Sequence, residues 1–223
     1  MALSRSPCCC VAPRASRRLR ALSAHLILPP ADDATAAARA SAVAGLAGRP
    51  NDYRGLLLLA YEEELMGEIL FADIATKLAD PGQAQKMQLM SQVERHTADA
   101  VRPLLQRHGL TPRTDEELHR LVLSATSQDP LDWQERMERA LEGGDGPSLQ
   151  EYVDEFLELE ALGPAEDQEI LEFFTEHERA LLRFMQLELE QGGTGARRSE
   201  AELVLFLQSD PQSLRAARAA DGS

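Results

Sequence analysis

From Asp52 to Gln208 the apolar residues recur at three- and four-residue intervals, broken by glycine, proline and short polar stretches. That is the period of a helix whose apolar side chains line one face. No stretch carries the two-residue alternation of a half-buried strand, and no internal repeat is present. The chain is therefore restricted to an all-α fold. Its helices can be stable only by burying their apolar faces against one another.

The punctuation divides the pattern. Gly55–Lys77 reads as a long helix with Leu56, Ala60, Gly67, Phe71 and Ile74 on one face, and Pro81-Gly82 as its end. Gln83–His108 is the second, with Met90, Val93, Thr97, Val101 and Leu104 on one face. Pro103 kinks it or marks its final turn, and Gly109 suits a left-handed cap. Two shorter helices follow, Asp115–Ser127 and Leu131–Leu141, with Asp129-Pro130 between them. After the loop Gly143–Pro147, Ser148 caps a helix reaching Leu162, and Glu151 completes a capping box. Gly163-Pro164 stops it, and Glu166–Gln191 is the next long helix. Beyond the joint Gly192–Gly195, the sequence predicts a short helix over Ser199–Gln208, with Ser199 and Glu202 as a second capping box. Four main helices with two shorter ones in the middle connection describe a four-helix bundle over residues 51–191. Residues 192–223 are a linker, the short helix and a tail.

Residues 1–50 differ in kind. They hold seven Arg, no Lys and two Asp, a local charge of +5 in a chain of net charge −14. Acid is absent from residues 1–31, where Arg5, Arg14, Arg17, Arg18 and Arg20 stand among Ser and Ala. Three readings fit this segment: an organellar transit peptide, a disordered basic arm, or a start codon placed too far upstream. The first implies a mitochondrial or chloroplast protein and the others a cytoplasmic one. The only cysteines, Cys8, Cys9 and Cys10, lie here and lack the spacing of a zinc site. The body can use neither disulfides nor thiolate ligands. Its acidic balance repels phosphate backbones, which argues against nucleic acid as a partner. The longest apolar run is the six residues Leu56 to Tyr61, far short of the roughly 20 that cross a bilayer.

The chemistry lies in polar residues on apolar faces. At about 100° per residue, Glu64 falls near the line of Ala60, Phe71 and Leu78, and Glu62 on another side. Glu94 sits one turn before Thr97 on the second helix. Glu160 aligns with Leu149, Val153 and Phe156, and His177 with Phe173, Phe174, Leu181 and Phe184. His96 falls off its apolar face and reads as a surface residue, and Trp133 reads as a packing anchor. A carboxylate on a core face is costly unless paired or bound to a metal. Carboxylates and an imidazole at the centre of a bundle suit non-haem iron or manganese. The alternatives are a core histidine bonded to a carboxylate, and helix-edge glutamates reaching solvent.

Three stretches carry a family resemblance. LLLLAYEEELMGEILFADIATK (56–77) resembles the first helix of rubrerythrin-type ferritin-like proteins, with Ala60-Tyr61, Glu64 and Phe71 in the pattern. VERHTADAVRPLL (93–105) resembles the second helix, whose motif is E-x-x-H; Glu94 matches and Thr97 stands in the His position. FFTEHERALLRF (173–184) resembles the fourth; His177 and Glu178 match, and Phe174 stands in a Glu position. The resemblance implies a ferritin-like up-down bundle with metal ligands Glu64, Glu94, His177 and, from the third helix, Glu160. Thr97 and Glu178 would serve as outer-shell residues or substitute for a ligand. The family site has six ligands for two metals, and Thr97 and Phe174 each remove one. One iron or manganese ion with open positions is the reduced site that remains.

Two function classes follow. One is a non-haem metal oxidoreductase acting on oxygen, peroxide or another small molecule. The other is a metal-free, degenerate bundle acting as a binding module. The nearly continuous Leu203, Val204, Leu205, Phe206 and Leu207 place apolar side chains on more than one side of the 199–208 helix. That helix must pack on the bundle, on a second copy or on a partner. An iron-storage cage fits less well, because the two-metal motif is incomplete.

Overall fold

The computed structural model describes residues 50, 52–125, 131–143, 148–190 and 196–221. The N-terminal extension with Cys8, Cys9 and Cys10, the Asp129-Pro130 break and the Gly192–Gly195 joint lie outside the described residues. So does the 144–147 part of the expected glycine-rich loop. Among the described residues the chain is all-helical. Its helices are α1 (Tyr53–Lys77), α2 (Pro81–His108), α3 (Asp115–Ala125), α4 (Trp133–Glu142), α5 (Leu149–Leu162), α6 (Gln168–Glu190), α7 (Ala196–Leu207) and α8 (Pro211–Asp221).

Side-chain caps set most boundaries. Asp52 accepts from the Gly55 amide at 2.9 Å and starts α1. Asp80 accepts from the Gln83 amide at 2.8 Å, with Pro81 as the first residue of α2. Pro81-Gly82 therefore opens the second helix instead of ending the first. Proline suits that position because its missing N–H would have no partner there. Gly109 ends α2 at φ 60°, where its amide reaches back to Gln106 O. Pro103 lies inside α2 on its exposed side, so water can satisfy the carbonyl that it frees. Asp132 with Glu135, and Ser148 with Glu151, form capping boxes at α4 and α5.

Four long helices enclose the core. α1 and α2 are antiparallel: Arg54 donates to the His108 carbonyl at 2.6 Å, and Ser91 to the Glu68 carbonyl at 3.0 Å. α2 and α6 are antiparallel, with Lys86 against Glu188 near one end and Arg107 against Asp167 at the other. α5 and α6 are antiparallel: Gln168 at the start of α6 donates to the Glu160 carbonyl at 2.8 Å, while Phe156, one turn earlier on α5, stands edge-on to His177 at 5.3 Å further along α6. α1 and α6 run in the same direction: Tyr53 donates to Asp167 at 2.7 Å, and Glu64 meets His177 eleven residues further along α1. It follows that α2 and α5 run the same way. Simple up-down alternation fails between them, and the connection carrying α3 and α4 returns along the bundle. α3 packs on α1, and α4 on α6 and α5.

The C-terminal region departs from expectation. α7 begins at Ala196, so Ser199 lies inside it instead of capping it. Ser199 is buried and donates to Glu188, while Glu202 pairs with Arg183 at 2.9 Å. α7 packs on α6 and α2, burying Leu203 and Phe206 and leaving Val204 and Leu205 exposed. His96 is half-buried instead of exposed, because α7 covers it. Its ring lies edge-on to Phe173 and Phe206, and its Nε2 meets Ser209 O at 2.9 Å. α8 has no counterpart in the sequence reading.

Candidate metal centre

Glu62, Glu63 and Glu64 are consecutive and all buried. Successive helical positions point about 100° apart, so each side chain meets a different environment. Glu62 accepts from the Arg113 amide at 2.7 Å and pairs with its guanidinium at 2.5 Å. Glu63 lines a groove between α1 and α5, with Leu56, Leu59, Glu155, Phe156 and Leu159. Glu64 points to the bundle interior and meets His177 from α6.

His177 is fully buried and held on three sides. Its Nδ1 faces the Phe174 carbonyl oxygen, which can only accept, so Nδ1 carries a proton. The Phe174 ring stacks on it at 5.6 Å, and the Phe156 ring stands edge-on at 5.3 Å. In the neutral imidazole, Nε2 then carries a lone pair. It points at Glu64 Oε2 at 3.0 Å, Glu178 Oε1 at 3.5 Å and Glu94 Oε2 at 3.9 Å.

These groups satisfy one another only in part: Glu64 and Glu94 share a hydrogen bond. Glu64, Glu94 and Glu178 are 2%, 3% and 7% exposed. His177 Nε2, Glu64 Oε2 and Glu178 Oε2 have no hydrogen-bond partner among the described residues. Burial, above all, drives the Glu64 and Glu94 carboxyls well above their ordinary range. The negative field of Glu178 adds to the effect at Glu64, and that of Glu64 adds to it at Glu94. Burial also pushes Glu178 up to about 7, against the opposing pull of His177. Three carboxyls and an imidazole converge, and among the described residues no lysine or arginine pairs with them. Either protons or a positive ion must occupy the space.

The donor set fits a divalent metal ion. One ligand atom each from Glu64, His177 and Glu178 can lie within 4.8 Å of one another. Donors about 2.1 Å from a common ion stand about 3 Å apart at right angles and about 4.2 Å apart across it. The distances from Nε2 to the three carboxylates fall in that range. The Phe174 carbonyl supplies the outer hydrogen bond that ligating histidines usually make.

The structure brings Glu64 and Glu94 to within 3.0 and 3.9 Å of His177 Nε2. Glu160 is elsewhere: it is half-buried and accepts from Thr175 Oγ1 at 2.8 Å. The α5 residue facing His177 is Phe156, one turn earlier. The further carboxylate comes from Glu178, which the resemblance gives as an outer-shell residue or a substitute for a ligand. Its position beside His177 in E-H-E was the available signal. Thr97 is fully buried, but its hydroxyl donates to the Val93 carbonyl at 2.9 Å, within its own helix. Phe174 contributes its ring and its carbonyl to His177. Sequence reasoning missed Tyr152, whose buried hydroxyl has no hydrogen-bond partner among the described residues. Burial, then the fields of Glu63, Glu155, Glu178 and Glu94, raises its ionisation well above the ordinary range. No protein-family model matches the chain, and no curated protein or solved structure matches it either. No helix among the described residues is long and apolar enough to cross a membrane.

Proposed function

We propose that this protein is a ferritin-like bundle that holds one iron or manganese ion through Glu64, His177, Glu178 and Glu94. We assign it to oxygen- or peroxide-linked redox chemistry. The observation that carries the metal is the placement of His177: its Nδ1 faces the Phe174 carbonyl, so Nε2, free to act as a ligand in the neutral ring, faces the carboxylates of Glu64, Glu178 and Glu94. Two features support the ferritin-like reading. Carboxylates and a histidine project inward from facing helices, and one long crossover joins the second and third long helices. An ion there would supply one-electron redox chemistry. The chain's own part is to bind it, fix the imidazole plane between Phe174 and Phe156, and exclude bulk water with an apolar shell. Redox turnover also requires open coordination positions, which a set of four protein donors leaves to a six-coordinate ion.

A metal-free reading rests on the hydrogen bond between Glu64 and Glu94, in which protons take the place of a cation. The bundle would then be a binding module, with the exposed Val204 and Leu205 of α7 available for contact. Elemental analysis of the purified full chain, supplied with iron and manganese, separates the two. The redox reading expects about one ion per chain, lost in Glu94→Gln and His177→Gln. Absence of bound metal, with no thermal stabilisation by iron(II), manganese(II) or zinc, would leave only the protonated cluster.

A further inference from the structure

Gly67 lies in the middle of α1, three residues beyond Glu64 and therefore close to the same face. Glycine is a poor choice inside a helix, because it loses more backbone freedom on folding than any other residue. Nothing in the backbone requires it: the positive-φ glycines among the described residues are Gly109 and Gly143. The explanation is contact. A Cβ built at Gly67 would stand 2.8 Å from the Glu94 carboxyl carbon, and 2.9 and 3.1 Å from its two oxygens. All three are closer than ordinary van der Waals contact allows. The Glu94 carboxylate therefore rests directly on the bare α1 backbone, in space that any side chain would fill.

We propose that Gly67 is a positioning residue for the metal centre, and that its missing side chain is the seat of the Glu94 carboxylate. This rests on the metal-binding reading above. The seat holds Glu94 Oε2 3.9 Å from His177 Nε2, while Glu64 Oε2 lies at 3.0 Å. At that distance Glu94 makes no direct hydrogen bond to the imidazole, and the separation fits two donors on opposite sides of one ion. A methyl group at position 67 forces the carboxylate off its seat. The Glu94 side chain is flexible, so the helices need not move. The geometry of the ligand set changes and the fold does not.

The test is manganese(II) binding to the full chain, with free ion measured by electron paramagnetic resonance. Wild type, Gly67→Ala, Glu94→Asp and the double variant are compared, with circular dichroism and thermal unfolding as the fold check. Gly67→Ala is expected to bind at least tenfold more weakly while melting no lower without metal, since alanine favours a helix. Aspartate is one methylene shorter and draws the carboxylate back from the new methyl. The double variant should therefore bind less weakly than the two single losses multiplied together. Unchanged affinity in Gly67→Ala would overturn the seat while leaving the metal site standing. Strictly multiplicative losses would also overturn it, because Gly67 would not then act through Glu94. Failure of wild type to bind manganese(II), iron(II) or zinc would remove the metal reading itself, and the seat with it.

Discussion

Two buried acidic regions share this bundle and solve the same problem in opposite ways. Glu188, near the end of α6, accepts from Lys86 Nζ at 2.7 and 2.8 Å and from Trp133 Nε1 at 2.8 Å, and it also accepts from Ser199. α2, α4 and α7 each send one donor, and Lys86 also lies 5.5 Å from the Trp133 ring centroid. Eleven residues earlier on the same helix, His177 and Glu178 meet Glu64 and Glu94 with no lysine or arginine among them. One region carries its own cation and is closed. The other has no paired lysine or arginine among the described residues and could hold a metal ion. Burial of carboxylates alone therefore does not mark a metal site. What sets the open region apart is burial of its carboxylates around a histidine with no paired lysine or arginine among the described residues.

The largest expected effect is in the closed region. Lys86→Met strands the Glu188 carboxylate and should cost about 3–5 kcal/mol in urea unfolding, with or without metal. Adding Glu188→Met should recover much of that loss. A cost below about 1 kcal/mol would mean that water reaches Glu188, and the contrast between the regions would fail.

Next comes pH, which should act on the open region. The Glu178 carboxyl is raised from its ordinary 4.5 to about 7. Between those values the unfolded chain loses this proton before the folded one does. The metal-free protein should thus lose stability as pH rises through that window, by on the order of 3 kcal/mol for an uncoupled group. Below about 4.5 both states are protonated and the penalty vanishes. Metal binds the ionised carboxylate, so stabilisation by added manganese(II) should grow over the same interval. Thermal melts at pH 4.5, 6 and 8, with and without the ion, measure both slopes. Metal-free stability that instead rises across this interval would show that Glu178 is already compensated.

Local signals in the sequence place the long helices well. Asp52, Ser148 with Glu151 and Gly109 act within three or four residues, and so does the apolar stripe. The same 100° step is enough to turn Glu64, Glu94 and His177 inward. Relations between distant segments are not readable in this way. Lys86 and Glu188 are 102 residues apart, and His108 meets Asp167 across 59. The register of α5 against α6 decides that Phe156, and not Glu160, faces His177. The periodicity of α5 alone contains no such register. Ser199 and Glu202 have the spacing of a capping box, but α7 begins three residues earlier and packing on Glu188 takes the serine. The contact that explains Gly67 is likewise between helices.

The smallest effects should separate the regions by sign. Ser199 and Tyr152 each bury one hydroxyl near carboxylates. Ser199 donates to Glu188, so Ser199→Ala removes a hydrogen bond to a charged acceptor and should cost about 2 kcal/mol. The Tyr152 hydroxyl has been taken from water without a partner among the described residues. Tyr152→Phe keeps the ring and discards an uncompensated polar atom. The metal-free protein should then be unchanged or more stable by up to about 1 kcal/mol. Urea unfolding of the two variants side by side measures this. A loss in Tyr152→Phe as large as that in Ser199→Ala would mean that its hydroxyl is bonded in solution, through water, to the carboxylates around it. Water, rather than an ion, would then be what closes the open region.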